Sequence, residues 1–142
     1  MIRRAEASDA TALAELMTQL GFATTSTEMS ERLSVILNDQ NFATFVAVEA
    51  DKVCGMIGLS ASPSYEHNDR TGRIVALAVD ERRRRRGFGR ALIANAEEYF
   101  LGRKIIRVVL NTRFERQGAH QFYKSLGYAR TGLRFMKQLP TR

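Results

Sequence analysis

Five arginines, Arg82 to Arg86, run directly into Gly87-Phe88-Gly89-Arg90, the densest concentration of potential chemistry in this 142-residue chain. Glycines carry no side chain, so peptide N–H groups at such a turn can approach a ligand closely. A helix that begins there adds unpaired donors and a partial positive charge, and guanidinium groups add full charges. The combination is a site for a phosphate-bearing cofactor. It points to Arg84, Arg85, Arg86, Gly87, Gly89 and Arg90 as the phosphate contacts. A Walker loop would end in Gly-Lys-Ser/Thr, whereas Arg90-Ala91 follows the glycine here. A dinucleotide fingerprint would place a third glycine at Leu92 and an acidic residue about 20 positions on, where Ile106, Arg107 and Val108 stand. Neither loop fits.

Other residue types capable of chemistry lie apart from this turn. Phe122 and Tyr123 are adjacent in a helical pattern, so they point about 100° apart and cannot share one buried face. Phe122 is read as core and Tyr123 as functional. Tyr65-Glu66-His67-Asn68-Asp69 is a polar loop with titratable groups, and Tyr65, Glu66 and His67 are candidates for a substrate site. Cys54 lies in an apolar strand and reads as a small buried hydrophobe rather than a nucleophile. His120 is expected to be exposed or packed rather than catalytic. No metal-ligand spacing occurs.

The elements that must position these groups follow from periodicity and punctuation. Ile2–Ala5 reads as a strand; a helix capped at Ser8 or Asp9 follows, with Ala12, Leu13, Leu16, Met17 and Leu20 on its apolar face and Gly21 at its end. A second helix opens at Ser26 or Thr27 after a loop over 22–25. Residues 43–50 and 53–60 form a hairpin turned at Asp51-Lys52. The apolar run Ile74-Val75-Ala76-Leu77-Ala78-Val79 reads as a strand covered on both faces, feeding the arginine turn. A helix over Phe88–Leu101 follows, then a strand over Ile105–Leu110, a helix over Gln117–Leu126 and a closing strand over Gly132–Leu139. Strand–helix–strand from 73 to 111 implies a parallel pair with a right-handed crossover. The fold class is therefore α/β in the α+β sense: one mixed, mostly antiparallel sheet with helices on both faces, in a single domain spanning 1–142.

Composition narrows the function classes. Apolar residues make up 44% of the chain, with two prolines, as in an ordinary globular protein with one core. No stretch approaches the ~20 apolar residues of a membrane span, and the N-terminus lacks a signal-like apolar region. A single cysteine forms no internal disulfide and suits a reducing cytoplasm. The net charge of +7 is concentrated in the arginine run rather than spread over an aromatic-laced face, which argues against a nucleic-acid binder.

Arg84-x-x-Gly87-x-Gly89 after a Leu-Ala-Val strand resembles the acetyl-CoA motif of the GCN5-related N-acetyltransferase (GNAT) superfamily. Ala119-x-x-Phe122-Tyr123-x-x-x-Gly127-Tyr128 resembles that superfamily's terminal signature, and the order β-α-α-β-β-β-α-β-α-β is also its order. The resemblance implies acetyl transfer from acetyl-CoA to a primary amine, the cofactor arm lying where two parallel strands splay apart. It implies polarising amides around Leu77, Ala78 and Val79, Tyr123 as proton donor to the departing thiolate, and cofactor contacts from Asn111 and Arg116. Many members carry a carboxylate base on the strand that here reads Arg73-Ile74-Val75-Ala76, so the base is unassigned. Within the superfamily the chain is similar to small-amine acetyltransferases, aminoalkylphosphonate N-acetyltransferases being the nearest comparison. A small-molecule amine is the expected acceptor, with a protein N-terminus as a second class; a homodimer is left open. The rival functions are an acetyl-CoA-binding module with little turnover, acting as sensor or toxin-like partner, and a basic RNA- or ribosome-interaction protein.

Overall fold

Residues 42–62 alternate between faces and carry two adjacent left-handed residues, Ala50 (φ 51°) and Asp51 (φ 62°), which close a tight hairpin. The turn thus falls one residue earlier than the sequence suggests. It joins β2 (Phe42–Glu49) to β3 (Lys52–Ser62). β1 (Ile2–Arg4) pairs with β2, and β3 pairs with β4 (Thr71–Val79), all antiparallel. β5 (Arg107–Leu110) pairs with β4 in parallel, giving the sheet order β1-β2-β3-β4-β5. The computed structural model describes residues 1–111 and 117–141. It divides into two compact units, Met1–Leu110 and Asn111–Arg142.

In the first unit, helices α1 (Ala10–Leu20) and α2 (Ser26–Ile36) cover one face of the sheet. Leu13, Leu16, Met29 and Leu33 pack there with Val46, Met56 and Ala78. Gly21 ends α1 at φ 112°, a left-handed cap suited to glycine. The expected cap at Asp9 is not made, because the Asp9 carboxylate instead accepts both guanidinium nitrogens of Arg3 and the amide of Glu6. For α2 the cap is Thr25 rather than Ser26 or Thr27: Thr25 and Glu28 form a reciprocal capping box.

The opposite face is covered by α3 (Phe88–Gly102), whose Leu92, Ile93, Ala96 and Phe100 are buried. Phe88 and Tyr99 of the same helix are half-buried. The Phe100 ring lies directly over Gly72 of β4, where a Cβ would come within 2.7 Å of the ring. At the other end Leu92 reaches within 3.1 Å of the corresponding position of Gly55 on β3. These two glycine seats let α3 lie close on the sheet and thereby fix where its N-terminus opens.

β4 is not covered on both faces along its length, contrary to the expectation from its apolar run. Val75 is 54% exposed. It is the extra residue of a β-bulge: Gly58 pairs with Ala76 while Leu59 pairs with Ile74, so Val75 has no partner on β3. The bulge turns its side chain away from the packed core.

In the second unit, α4 (Gln117–Ser125) is followed by Gly127 at φ 91°. The expected closing strand over Gly132–Leu139 is not formed; residues 128–141 have no regular secondary structure. Leu133, Phe135, Met136 and Leu139 are all exposed. An extended segment has no hydrogen bonds of its own, so apolar alternation without a ladder partner does not hold a strand.

Candidate functional site

The site begins where β4 leaves β5. Thr71–Ile74 pair with Arg107–Leu110; β5 ends at Leu110, so Val75–Val79 run past it and have no ladder partner on that side among the described residues. The Asp80 amide donates to the Cys54 carbonyl across β3 at 2.8 Å. Alternation along the strand therefore turns the Ala78 amide toward β3 and the Leu77 and Val79 amides toward the open side. Leu77 and Val79 are half-buried and Ala78 is buried. Two backbone donors thus point away from β3 beyond the end of β5, a geometry suited to polarising a carbonyl oxygen.

At the end of β4, Asp80 accepts the Arg82 amide and starts a short 3-10 turn over Glu81–Arg83. Arg85 at φ 67° and Gly87 at φ 84° then take left-handed conformations and swing the chain into α3. The first backbone bond of that helix is from Ala91 to the Gly87 carbonyl at 3.0 Å. The amides of Phe88, Gly89 and Arg90 are left without an acceptor in the helix, and Gly87 has no side chain to cap them. A Cβ built on Gly87 would meet nothing within 4 Å. Open space before an uncapped helix N-terminus is what an anionic group requires, so the residues present fit the phosphates of acetyl-CoA.

The arginines divide into two sets. Arg83 is clamped between two carboxylates, its Nε donating to Glu49 Oε1 at 3.0 Å and its Nη1 to Asp80 Oδ2 at 3.1 Å. Arg86 donates to the same Glu49 Oε1, also at 3.0 Å. Arg82 pairs with Glu15 and lies near Asp80. Glu49, from the end of β2, thus ties both sides of the turn with one oxygen. The hydrogen bond to Glu49 raises the Arg83 pKa further, and the Arg82 amide holds the Asp80 carboxyl below its ordinary value. Arg84, Arg85 and Arg90 are exposed and make no ion pair among the described residues; Arg84 Nε makes a long contact of 3.4 Å to the Val79 carbonyl. Of the three arginines read from the sequence as cofactor contacts within the run, Arg84 and Arg85 are therefore free to meet an anion, whereas Arg86 is already engaged.

The remaining candidates are distributed as follows. Tyr65, Glu66 and His67 are exposed in the loop between β3 and β4, whose turn is held by Ser64 Oγ accepting the Glu66 and His67 amides. Asp69 pairs with Arg107 at 3.3 Å. Cys54 is buried, and burial pushes its thiol pKa up, the opposite of an activated nucleophile. In the second unit Tyr123 is half-buried, its ring edge-on to Phe122 at 5.3 Å and to Tyr128 at 6.1 Å. Phe122 and His120 are half-buried there too, and Asn111 is exposed. Arg116 lies outside the described residues. No group of three or more His, Cys, Asp or Glu side chains that could hold a metal occurs among the described residues.

Glu49, Asp80 and Glu15 were not singled out by the sequence. Asp80 carries a detectable signal, an acid two residues before an amide it caps. Glu49 and Glu15 lie 34 and 67 residues from their arginines and carry none.

Known proteins resemble this chain over most of its length. Human N-acetyltransferase 8 is 27% identical over 112 residues, which are 79% of this chain and 49% of the human protein. Zebrafish (Danio rerio) N-acetylaspartate synthetase is 29% identical over 106 residues, 75% of this chain and 36% of that protein. The chain thus spans about half the length, or less, of the curated relatives it matches. Among solved structures, a putative acetyltransferase from Agrobacterium tumefaciens superposes with a TM-score of 0.88 at 26% identity, covering 98% of this chain and 99% of that one. An aminoglycoside acetyltransferase from an uncultured soil metagenomic sample gives a TM-score of 0.83 at 24% identity, covering 99% and 96%, a likeness of fold. The sequence model of the Acetyltransferase (GNAT) family matches residues 10–128, and the chain belongs to that family.

Proposed function

We propose that this chain, acting as one domain over 1–142, is an N-acetyltransferase that moves the acetyl group of acetyl-CoA to a primary amine by direct attack in a ternary complex. The observation that carries the reading is the course of β4: the strand continues past the end of β5 and leads through the arginine turn to an uncapped helix N-terminus, with Arg84, Arg85 and Arg90 making no ion pair among the described residues. Bound acetyl-CoA supplies an activated thioester. Arg84, Arg85 and Arg90, with the amides of Phe88, Gly89 and Arg90, hold its phosphates. The Leu77 and Val79 amides donate to the acyl oxygen as negative charge develops there. The Tyr123 hydroxyl gives its proton to the departing sulfur, while the proton lost by the attacking amine passes to water, from which Tyr123 is reprotonated. Asn111 and Arg116 are further cofactor contacts in this reading, and Tyr65, Glu66 and His67 rim the acceptor side. Cys54 is buried and not activated, which favours direct transfer over a covalent acyl-enzyme. A small-molecule acceptor and a reducing, cytoplasmic setting accompany this reading.

Calorimetric titration with acetyl-CoA, desulfo-CoA and an unrelated oligonucleotide, followed by acetyl-CoA consumption across an amine panel, tests it. One-to-one binding of both CoA species and amine-dependent CoA release are expected. Binding without turnover on any amine points to the sensor or partner module, and tighter binding of the oligonucleotide than of acetyl-CoA to an RNA-interaction protein.

A further inference from the structure

In the proposed reaction an acceptor reaches the Leu77 and Val79 amides along β4, and among the described residues the strand is exposed on its α1–α2 side before Ala76. On the α3 side Gly72 is sealed by Phe100, and Ile74 is buried. On the α1–α2 side the helices cover Ala76 and Ala78 but stop there. Arg73 and Val75 follow on that side of the strand and are both exposed. Arg73 pairs in register with Ser60, which shares a face with Gly58 and Met56; a Cβ on Gly58 would touch Val75 Cγ2 at 3.5 Å. Gly58 therefore leaves a shallow floor beside Val75, and Arg73 stands two residues, or roughly 6–7 Å of strand, farther on.

Arg73 has no ion-pair or side-chain hydrogen-bond partner among the described residues. The charges around it are committed elsewhere: Asp69 to Arg107, and Arg70 to the Asn41 side chain and the Ala61 carbonyl. Glu66 and His67 stand exposed in the preceding loop. Among the described residues this exposed stretch of β4 thus presents an apolar contact and one cation without an ion-pair partner.

We infer that Arg73 selects the acceptor, and that the acceptor is a primary amine carrying an anionic group, a carboxylate or a phosphate, rather than a polycation. This rests on the acetyltransferase reading above. A guanidinium recognises either anion through charge-assisted, bidentate hydrogen bonds, and the same charge repels a polyamine or an aminoglycoside. The substrate class named for the soil aminoglycoside acetyltransferase therefore does not transfer with the fold.

The test compares matched amines with and without the anion: β-alanine against β-alaninamide, and O-phosphoethanolamine against ethanolamine, with spermidine and kanamycin as polycations. Initial rates of CoA release are measured for the wild type, Arg73→Gln and Arg73→Glu, with acetyl-CoA titrations on each. The wild type is expected to favour one anionic member over its neutral partner by about 10- to 100-fold in kcat/KM. Arg73→Gln removes most of that preference while the acetyl-CoA dissociation constant stays within about twofold, and Arg73→Glu shifts the preference toward the polycations. The two anions are told apart by which pair shows the preference. Faster turnover of spermidine or kanamycin by the wild type overturns the inference, as does a preference that survives Arg73→Gln. If no amine turns over, binding of the same amines to the CoA-saturated protein decides, and absence of anion preference there also overturns it. Failure of the wild type to bind acetyl-CoA instead removes the acetyltransferase reading itself.

Discussion

The flanks and the apex of the turn after β4 are built from the same side chain and do different work. On the flanks, Arg82, Arg83 and Arg86 are drawn inward to Glu15, Asp80 and Glu49. At the apex Arg84 and Arg85 point outward, joined by Arg90 from the first turn of α3. The flanks neutralise charge within the protein and hold the loop on β2; the apex leaves its charge exposed, where the proposed function puts the phosphates. Net charge alone therefore overstates what the run offers a partner: a five-arginine block presents about two guanidinium groups at its centre.

The largest expected effect lies outside this contrast and marks its limit, because neither set of arginines acts on the chemical step. Tyr123→Phe keeps the ring and its edge contacts with Phe122 and Tyr128 while deleting the hydroxyl. Loss of a general acid lowers turnover by about 10²- to 10⁴-fold, with acetyl-CoA affinity nearly unchanged. Single-turnover kinetics would check this; wild-type rates in the variant would reduce Tyr123 to a packing residue.

Next in size is the contrast itself. Arg84→Gln with Arg85→Gln should raise the acetyl-CoA dissociation constant by about 10- to 100-fold, since charge-assisted hydrogen bonds are lost, and should flatten its salt dependence. Glu49→Gln should weaken binding by only a few-fold, because it loosens the loop without touching the ligand. Equal effects from both would mean a diffuse field rather than a divided turn, and tighter binding in Glu49→Gln would mean that the carboxylate competes with the phosphates instead of positioning the loop.

The smallest effect is on acid stability. Asp80 has a folded-state pKa below its ordinary 3.8, chiefly because the Arg82 amide donates to it. Its contribution is fully present above the unfolded value and is lost as pH falls through the lower folded value. Asp80→Asn should therefore reduce stability near neutrality and bring the variant and wild-type curves together at the acid end. A gap that stays constant down to the lowest pH would contradict this linkage.

The sequence was most legible where local chemistry dictates structure. Gly21, the glycine turn and the amphipathic period of α3 each announce an element with a mechanism, and the parallel pair of β4 and β5 followed from the strand–helix–strand order. The hairpin turn and both early helix caps were misplaced by a residue or reassigned, because competing hydrogen bonds such as Arg3–Asp9 come from another element. The division of the arginines was not legible, since Glu49 and Glu15 reach them across long sequence separations. Nor was the open lane on β4: an apolar run reads as covered on both faces, and only the bulge at Val75 and the end of helical cover expose it. The closing strand failed for the converse reason, since its local pattern was suitable but no ladder held it.

The central claim is that acetyl-CoA is held at the turn entering α3, and titration of acetyl-CoA into the wild type and Gly87→Val tests it most directly. A branched Cβ at φ 84° fills the space that is open beside Gly87 and strains the backbone. The account expects saturable one-to-one binding by the wild type, and a loss of at least about 100-fold in a Gly87→Val protein whose circular dichroism matches the wild type. Unchanged affinity in that folded variant, or no binding by the wild type, would contradict it.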